Sequence, residues 1–368
     1  MRMHRIHFVA ALFVAILAGC ASAPPPAPVK PAELVFPGPP DDPRFIYERT
    51  IYGSADVAAE EANSDLRRLV TGESRRSEVL GKPYAVAVHQ GRVFVSDSAE
   101  RFIKVFDFPR AKYYRIGEDD PGRIIKPLGI DVDRSGRLYV ADATARDIKV
   151  FEADGRFVRA IGGTKWFDRL SSVTVDPAGE RVYVVDIGGV SSQNHRVRIF
   201  NAKTGDHISD IGTRGSGPGE FNLPRDLAIG KDGLLYVVDG GNFRVQVFTP
   251  DGKYVKSFGS IGKQYGQFAR PKEVATDKEG NVYVVDAAFG NFQIFSSEGD
   301  LLLFIGERSE RDGPAKYMLP SGIYVDEDGR VYMVDQWFRK VDVYRPYRLK
   351  ENQGFLASSN RTKAAKAK

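Results

Sequence analysis

The sequence predicts an all-β chain: a six-bladed β-propeller of four-stranded antiparallel blades, the last blade closed by an N-terminal strand. Three observations carry this. A short apolar run ending in Asp recurs six times, as RVFVSD (Asp97), RLYVAD (Asp142), RVYVVD (Asp186), LLYVVD (Asp239), NVYVVD (Asp286) and RVYMVD (Asp335), at intervals of 45, 44, 53, 47 and 49 residues. Each repeat divides into four short alternating segments, A to D, joined by Gly-bearing turns, which is the pattern of an antiparallel meander. The sixth repeat lacks segment D, and a matching one, Arg44 to Gly53 (RFIYERTIYG), stands at the other end of the chain. Repeats of this length with four strands each are blades of a ring rather than turns of a solenoid.

Composition agrees. With 42% hydrophobic and 27% charged residues, 37 Gly and 21 Pro in 368 residues, the chain is globular rather than disordered or collagenous. It is long enough to bury a large core. A single Cys excludes an internal disulfide. The formal net charge of +5 is unevenly placed: Arg2 and Arg5 give +2 at the start, and seven Lys/Arg against Glu351 give +6 from Arg345 onward, leaving −3 on residues 20–344. A mildly acidic body argues against nucleic acid as a partner.

The elements follow in order. Residues 1–19 read as a signal peptide: a basic MRMHRIH, then the apolar stretch Phe8 to Ala18, which is too short to span a bilayer as a mature helix. It ends in Leu17-Ala18-Gly19-Cys20, which resembles a bacterial lipobox, with the thiol of Cys20 as the lipidated atom. Several acyl chains at about 0.8 kcal/mol per buried methylene make a firm membrane anchor. No Asp follows the Cys, and resemblance to Gram-negative lipoproteins then implies the outer membrane, facing the periplasm. Residues 20–43 are the lipidated Cys and a Pro-rich tether. Nine prolines in 21–43 favour an extended spacer with a reach of about 70 Å. Residues 44–350 form the propeller, with 44–53 as closing strand and 55–80 as a short helical insertion in which Leu66, Leu69 and Val70 fall at helical spacing. Residues 351–368, ending RTKAAKAK, read as a disordered basic tail.

Within a repeat, strand A is a β-branched run such as Gly129–Val132, strand B ends in the Asp, and strand C alternates as in Arg244–Phe248. An aromatic residue follows the Asp by nine positions in five repeats and by fourteen in the third, so five residues are inserted within Ile187 to His195. Six-fold recurrence makes the Asp a turn cap in every blade rather than a cation ring.

The inter-blade stretches Gly215–Pro224 (GSGPGEFNLP) and Gly266–Pro271 (GQFARP), each followed by the strand A, Asp and strand C pattern, resemble NHL-repeat proteins, and specifically bacterial six-bladed propeller lipoproteins, over residues 44 to about 345. Blade one departs with His89 for the usual Asp, and blade three lacks the Pro before strand A. The resemblance implies a propeller that binds proteins, RNA or small ligands. A minority of related propellers are lyases or hydrolases.

Chemistry is sparse. GTRGSGPGEF has no GK[ST] ending and precedes a strand, so it is an inter-blade turn and not a phosphate loop. His89, His195 and His207 fall on different loops, so no metal or other cofactor is expected, and the zinc-dependent amidating lyases of this architecture match poorly. No Ser sits in a nucleophile elbow, and no catalytic residue is assigned. The candidate ligand surface is the face carrying the B–C and D–A loops, at the mouth of the central channel. Its residues are Tyr84, Arg225, Asp226, Lys272, Glu273, Trp337, Arg339 and Arg244. Arg196, Arg244 and Arg339 read as equivalent positions that brace the recurrent Asp, whereas Arg225, Lys272, Glu273 and Trp337 do not repeat. The expected function is a monomeric, lipid-anchored, non-enzymatic scaffold binding a protein or glycan. The alternative is an enzyme of lyase or lactonase type using the charged residues of the mouth.

Overall fold

A computed structural model describes residues 33–57, 77–189 and 191–357. The signal peptide, Cys20, most of the Pro-rich tether, residues 58–76 of the helical insertion and residues 358–368 of the tail lie outside the described residues. The chain forms six antiparallel blades whose inner strands A are Pro83–His89, Pro127–Val132, Leu170–Val175, Pro224–Ile229, Pro271–Thr276 and Pro320–Val325. In the first five, strands B, C and D follow in sequence towards the rim. The sixth has Val331–Asp335 and Lys340–Pro346, and its fourth strand is Phe45–Ile51, paired from Phe45 opposite Pro346 to Ile51 opposite Val341. The N-terminal strand thus closes the ring, as the incomplete sixth repeat predicts.

The aromatic residue of each strand B seals the seam between blades. Phe94, Tyr139, Tyr183, Tyr236, Tyr283 and Tyr332 are all at most 2% exposed. Tyr183, for instance, packs with Phe221 and Leu227 of the next blade. Full burial of such a side chain contributes about 1.5–3 kcal/mol, once per blade. Every strand A is bulged just after its first residue, where the pairing with strand B slips. A bulge re-aims the side chains that follow it, and here it decides which of them face the channel.

Two boundaries differ from expectation. Part of the tether is structured: Val35–Phe36 adds a fifth strand outside Phe45–Ile51, and Phe36 packs into the core of the last seam. The start of the tail is likewise structured, because the turn Phe355–Ala357 buries Leu356 among Phe108 and Val93 of blade one. Of the helical insertion, Ser54–Asp56 is a single 3-10 turn, and Val79 bridges to Gly53 as extended chain.

Candidate functional site

The recurrent Asp residues are fully buried and cap turns. Asp335 accepts from the amides of Met318 and Leu319 in the incoming D–A loop (both 2.9 Å) and from those of Trp337 and Phe338 in its own B–C turn (both 2.8 Å). Asp97, Asp142 and Asp286 take the same pair of loops. Each carboxylate therefore fastens two loops of one face at the end of strand B.

These turns fix the register of the basic residues and correct one assignment. The fourth residue after the Asp is left-handed in five blades: Arg101 (φ 68°), Arg146 (58°), Phe243 (55°), Gly290 (68°) and Arg339 (55°). Arg339 is thus the counterpart of Phe243, not of Arg244. The residue that matches Arg244 is Lys340, fully buried and paired to Asp312 and Asp342 at 3.0 Å. Arg244 does brace its Asp, with Nε donating to Asp239 Oδ2 at 2.9 Å, and Arg196 reaches Asp186 at 3.6 Å.

The central channel holds a cavity of about 400 Å³ walled by the inner strands and rimmed by the A–B turns at Gln90, Arg134, Pro177, Lys278 and Glu327. It does not include the residues at the opposite mouth. One level below that mouth the inner strands close up. A Cβ on Gly129 would lie 2.3 Å from Ser172 Oγ, and one on Gly322 would lie 2.9 Å from Ala85 Cα. Asp226 and Glu273, expected at the mouth, line this cavity instead, because the bulge turns their side chains inward. They are joined by Asp131, which sequence reasoning passed over. Its signal was a carboxylate in the middle of the β-branched run Gly129–Val132.

Each of the three carboxylates staples neighbouring inner strands. Asp226 accepts from Ser172 Oγ and from Val274 N (2.9 Å), Glu273 from Ile323 N (3.2 Å), and Asp131 from Thr174 Oγ1 (2.6 Å) and Val175 N (3.0 Å). Burial pushes the Asp131 and Asp226 carboxyls up to about 6. Burial, with Asp226 alongside, holds Glu273 well above the usual carboxylate range.

The mouth on the B–C and D–A side has the opposite sign. Lys82, Lys126, Arg169 and Arg270 each stand just before an inner strand, and the carbonyl of each accepts from the amide of the residue after the recurrent Asp at 2.9–3.0 Å. Arg101, Arg146 and Arg339 occupy the left-handed turn position. Arg225 and Lys272 open the inner strands of blades four and five. None of these nine side chains has a hydrogen bond or ion pair among the described residues. Eight are exposed, and Lys272 is half-buried. Burial pushes the Lys272 ammonium down to about 8, with Arg270 and Arg225 acting in the same direction and Glu273 opposing. Tyr84 stands beneath them, its phenol raised by burial and by Glu273 and Asp226 and lowered by Arg225 and Arg169. Trp337 is 62% exposed in the B–C turn that also carries Arg339.

The structure therefore groups Tyr84, Arg225, Lys272, Trp337 and Arg339 on one face, places Asp226 and Glu273 within the channel, and leaves Arg244 as a brace. The three histidines among the described residues have separate partners: His89 with Glu327 (3.2 Å), His195 with the amide of Leu223 (3.1 Å) and His207 with Asp210 (2.8 Å). Among the described residues no three His, Cys, Asp or Glu side chains are placed to hold a metal ion.

The family model of the NHL repeat matches residues 221–248. A stretch of 45 residues is 47% identical to the human E3 ubiquitin-protein ligase TRIM32, covering 12% of this chain and 7% of that protein. The mouse NHL repeat-containing protein 3 is 34% identical over 88 residues, 23% of each chain. The chain thus spans under a quarter of the length of these relatives. Among solved structures, a protein of unknown function from Bacteroides thetaiotaomicron aligns with a TM-score of 0.60 at 19% identity, covering 81% of this chain and 75% of that one. A streptogramin B lyase (TM-score 0.54, 13% identity, 72% and 94% covered) and a gluconolactonase from Xanthomonas campestris (0.54, 16%, 72% and 86%) share the architecture. At such identities the likeness is one of fold. The chain carries an NHL repeat over the first three strands of its fourth blade and folds as a six-bladed β-propeller.

Proposed function

We propose that this chain is a lipid-anchored, non-enzymatic binding propeller of the bacterial envelope, held at the outer membrane through Cys20 and taking a protein or glycan partner on the face of the B–C and D–A loops. One observation carries the reading: nine basic side chains surround the mouth on that face with no hydrogen bond or ion pair among the described residues, beside the exposed Trp337. Recognition concentrates on loops held by a rigid scaffold, and the Asp caps supply the rigidity. Two experiments test it. Cys20→Ala should release the protein from the membrane fraction, and outer-membrane fractionation of that variant would refute the anchor. Capture of a partner from envelope extracts should be lost with Arg225→Glu and kept with Lys253→Glu in a C–D turn. The reverse pattern would refute the face.

A second reading, an enzyme of lyase or lactonase type, draws on the channel. Asp131 and Asp226, with carboxyls at about 6, are suited to proton exchange near neutral pH inside a cavity of ligand size. Turnover of a lactone or a cyclic ester, abolished by Asp226→Asn, would establish it in place of the scaffold.

A further inference from the structure

We infer that the partner taken at the cationic mouth is an acidic polysaccharide, a sugar chain bearing anionic groups at regular intervals. The inference rests on the binding reading above and specifies its chemistry.

The cations come from three structurally distinct positions, namely the residue before strand A, the left-handed B–C turn, and the opening of strand A in blades four and five. All three converge on one end of the channel although the body of the chain is net acidic. Some carboxylates of the same loops are already engaged: Asp168 by Ser192 (3.0 Å) and Asn194 (2.7 Å), Glu118 by Arg115 (2.8 Å), and Glu220 by the amide of Gly217 (2.9 Å). Glu100, Asp119, Asp120 and Glu310 are exposed and, among the described residues, none of them pairs with the nine cations. The cations are therefore left to solvent, and an anionic ligand would gain from them without displacing an internal pair.

Three features favour a polysaccharide over other polyanions. Protein interfaces are depleted of charge at their centre, whereas the centre here is Arg225 and Lys272 over Tyr84. Lys272 is half-buried, out of reach of a planar headgroup surface but open to a slim carboxylate or sulfate projecting from a chain. Binding of single-stranded nucleic acid needs a row of rings for base stacking. Next to the channel this mouth offers, among the described residues, the exposed ring of Trp337; farther out Tyr265 is stacked on Phe304 at 3.7 Å and Tyr52 donates to Asp312. Cations recurring from blade to blade match charges that recur along a polymer.

The test uses the full-length protein on surfaces bearing polygalacturonate, dextran sulfate or neutral dextran. Retention on either acidic polymer but not on neutral dextran is expected, falling steeply with salt. Arg225→Ala and Lys272→Ala should each weaken it about tenfold or more with Tm unchanged, and Lys278→Ala on the opposite rim should have no effect. Equal retention on neutral dextran, or equal loss with Lys278→Ala, would overturn the inference. Poly-glutamate, single-stranded DNA or anionic phospholipid vesicles held more tightly than both polysaccharides, with the same dependence on Arg225 and Lys272, would overturn the polysaccharide but keep the face. Failure of every probe to bind would overturn the inference, while the face itself stands or falls with the capture experiment on Arg225→Glu and Lys253→Glu.

Discussion

The two faces of the ring are made from the same repeat, and both are lined with Asp, yet they differ in what remains free. On the A–B side, the Asp closing strand A caps its own turn: Asp277 accepts from Glu279, Gly280 and Asn281 (2.8–2.9 Å), and Asp133 and Asp326 do the same in their blades. On the B–C side the Asp closing strand B accepts from two loops at once. In both places backbone amides absorb the carboxylates, so these charges shape the loops and not the outer field. The sign of each face is then set by the flanking residues. Around the A–B turns these mix acids and bases (Arg134, Lys278, Glu327), whereas nine of those around the mouth are Lys and Arg with no hydrogen bond or ion pair among the described residues. Uniform capping with variable flanks gives one scaffold two different surfaces.

The most drastic way to break this arrangement is to open the ring. Deleting residues 44–53 removes the strand paired along Lys340–Pro346 together with the buried Phe45, Ile46 and Ile51, and leaves the edge of the last blade open. At about 1.5–3 kcal/mol for each large side chain, most of a typical stability of roughly 5–15 kcal/mol is lost. Calorimetry should show a collapse of Tm, against little change on trimming 358–368. Equal melting of the two truncations would refute closure by this strand.

Next is Arg330, fully buried, which donates to Glu48 of the closing strand (2.7 Å), to Asp328 (3.0 Å) and to the carbonyl of Gln353 (2.9 Å). It ties strand, blade and tail together. Arg330→Ala leaves the buried Glu48 carboxylate with only the long contact to Arg49 (3.5 Å) and should cost about 3–5 kcal/mol by urea unfolding. Double replacement with Glu48→Gln should recover part of that loss.

The channel carboxylates sharpen the comparison through pH. Asp226 is raised from 3.8 to about 6 on folding. Between those values the folded state holds a proton that the unfolded chain has lost, so stability falls as pH rises through that window and stays lower above it. At roughly 1.4 kcal/mol per unit, the effect is about 1–3 kcal/mol. Asp226→Asn should therefore gain Tm relative to the parent on going from pH 4.5 to pH 8. A gap between the two that is constant with pH would remove Asp226 from the titrating set.

The smallest effect is at the surface. Charge reversal at Arg225 or Lys272, or Trp337→Ala, should cost the partner more than about 1 kcal/mol each while leaving Tm within a degree or two. Titration of the captured partner against each variant checks this. Loss of binding with Lys253→Glu instead would move the site to the other face.

The amino-acid sequence by itself determined the blade count, the four strands of each blade, the closing strand and the capping role of the recurrent Asp. All four are local, periodic signals: alternation sets strands, Gly turns set hairpins, and one missing segment is matched by one spare. Tertiary structure decided what faces the channel and what is paired. The bulge after the first residue of every inner strand turns Asp226 and Glu273 inward to meet Asp131, although their neighbours Arg225 and Lys272 stay at the mouth. Likewise Arg339 could not be separated from Lys340 in one dimension, because a single left-handed residue shifts the register and only the folded blade shows that Lys340 meets Asp342. The clustering of cations from three unrelated positions has the same origin. They are scattered over 258 residues from Lys82 to Arg339, and only closure of the ring brings them to one rim.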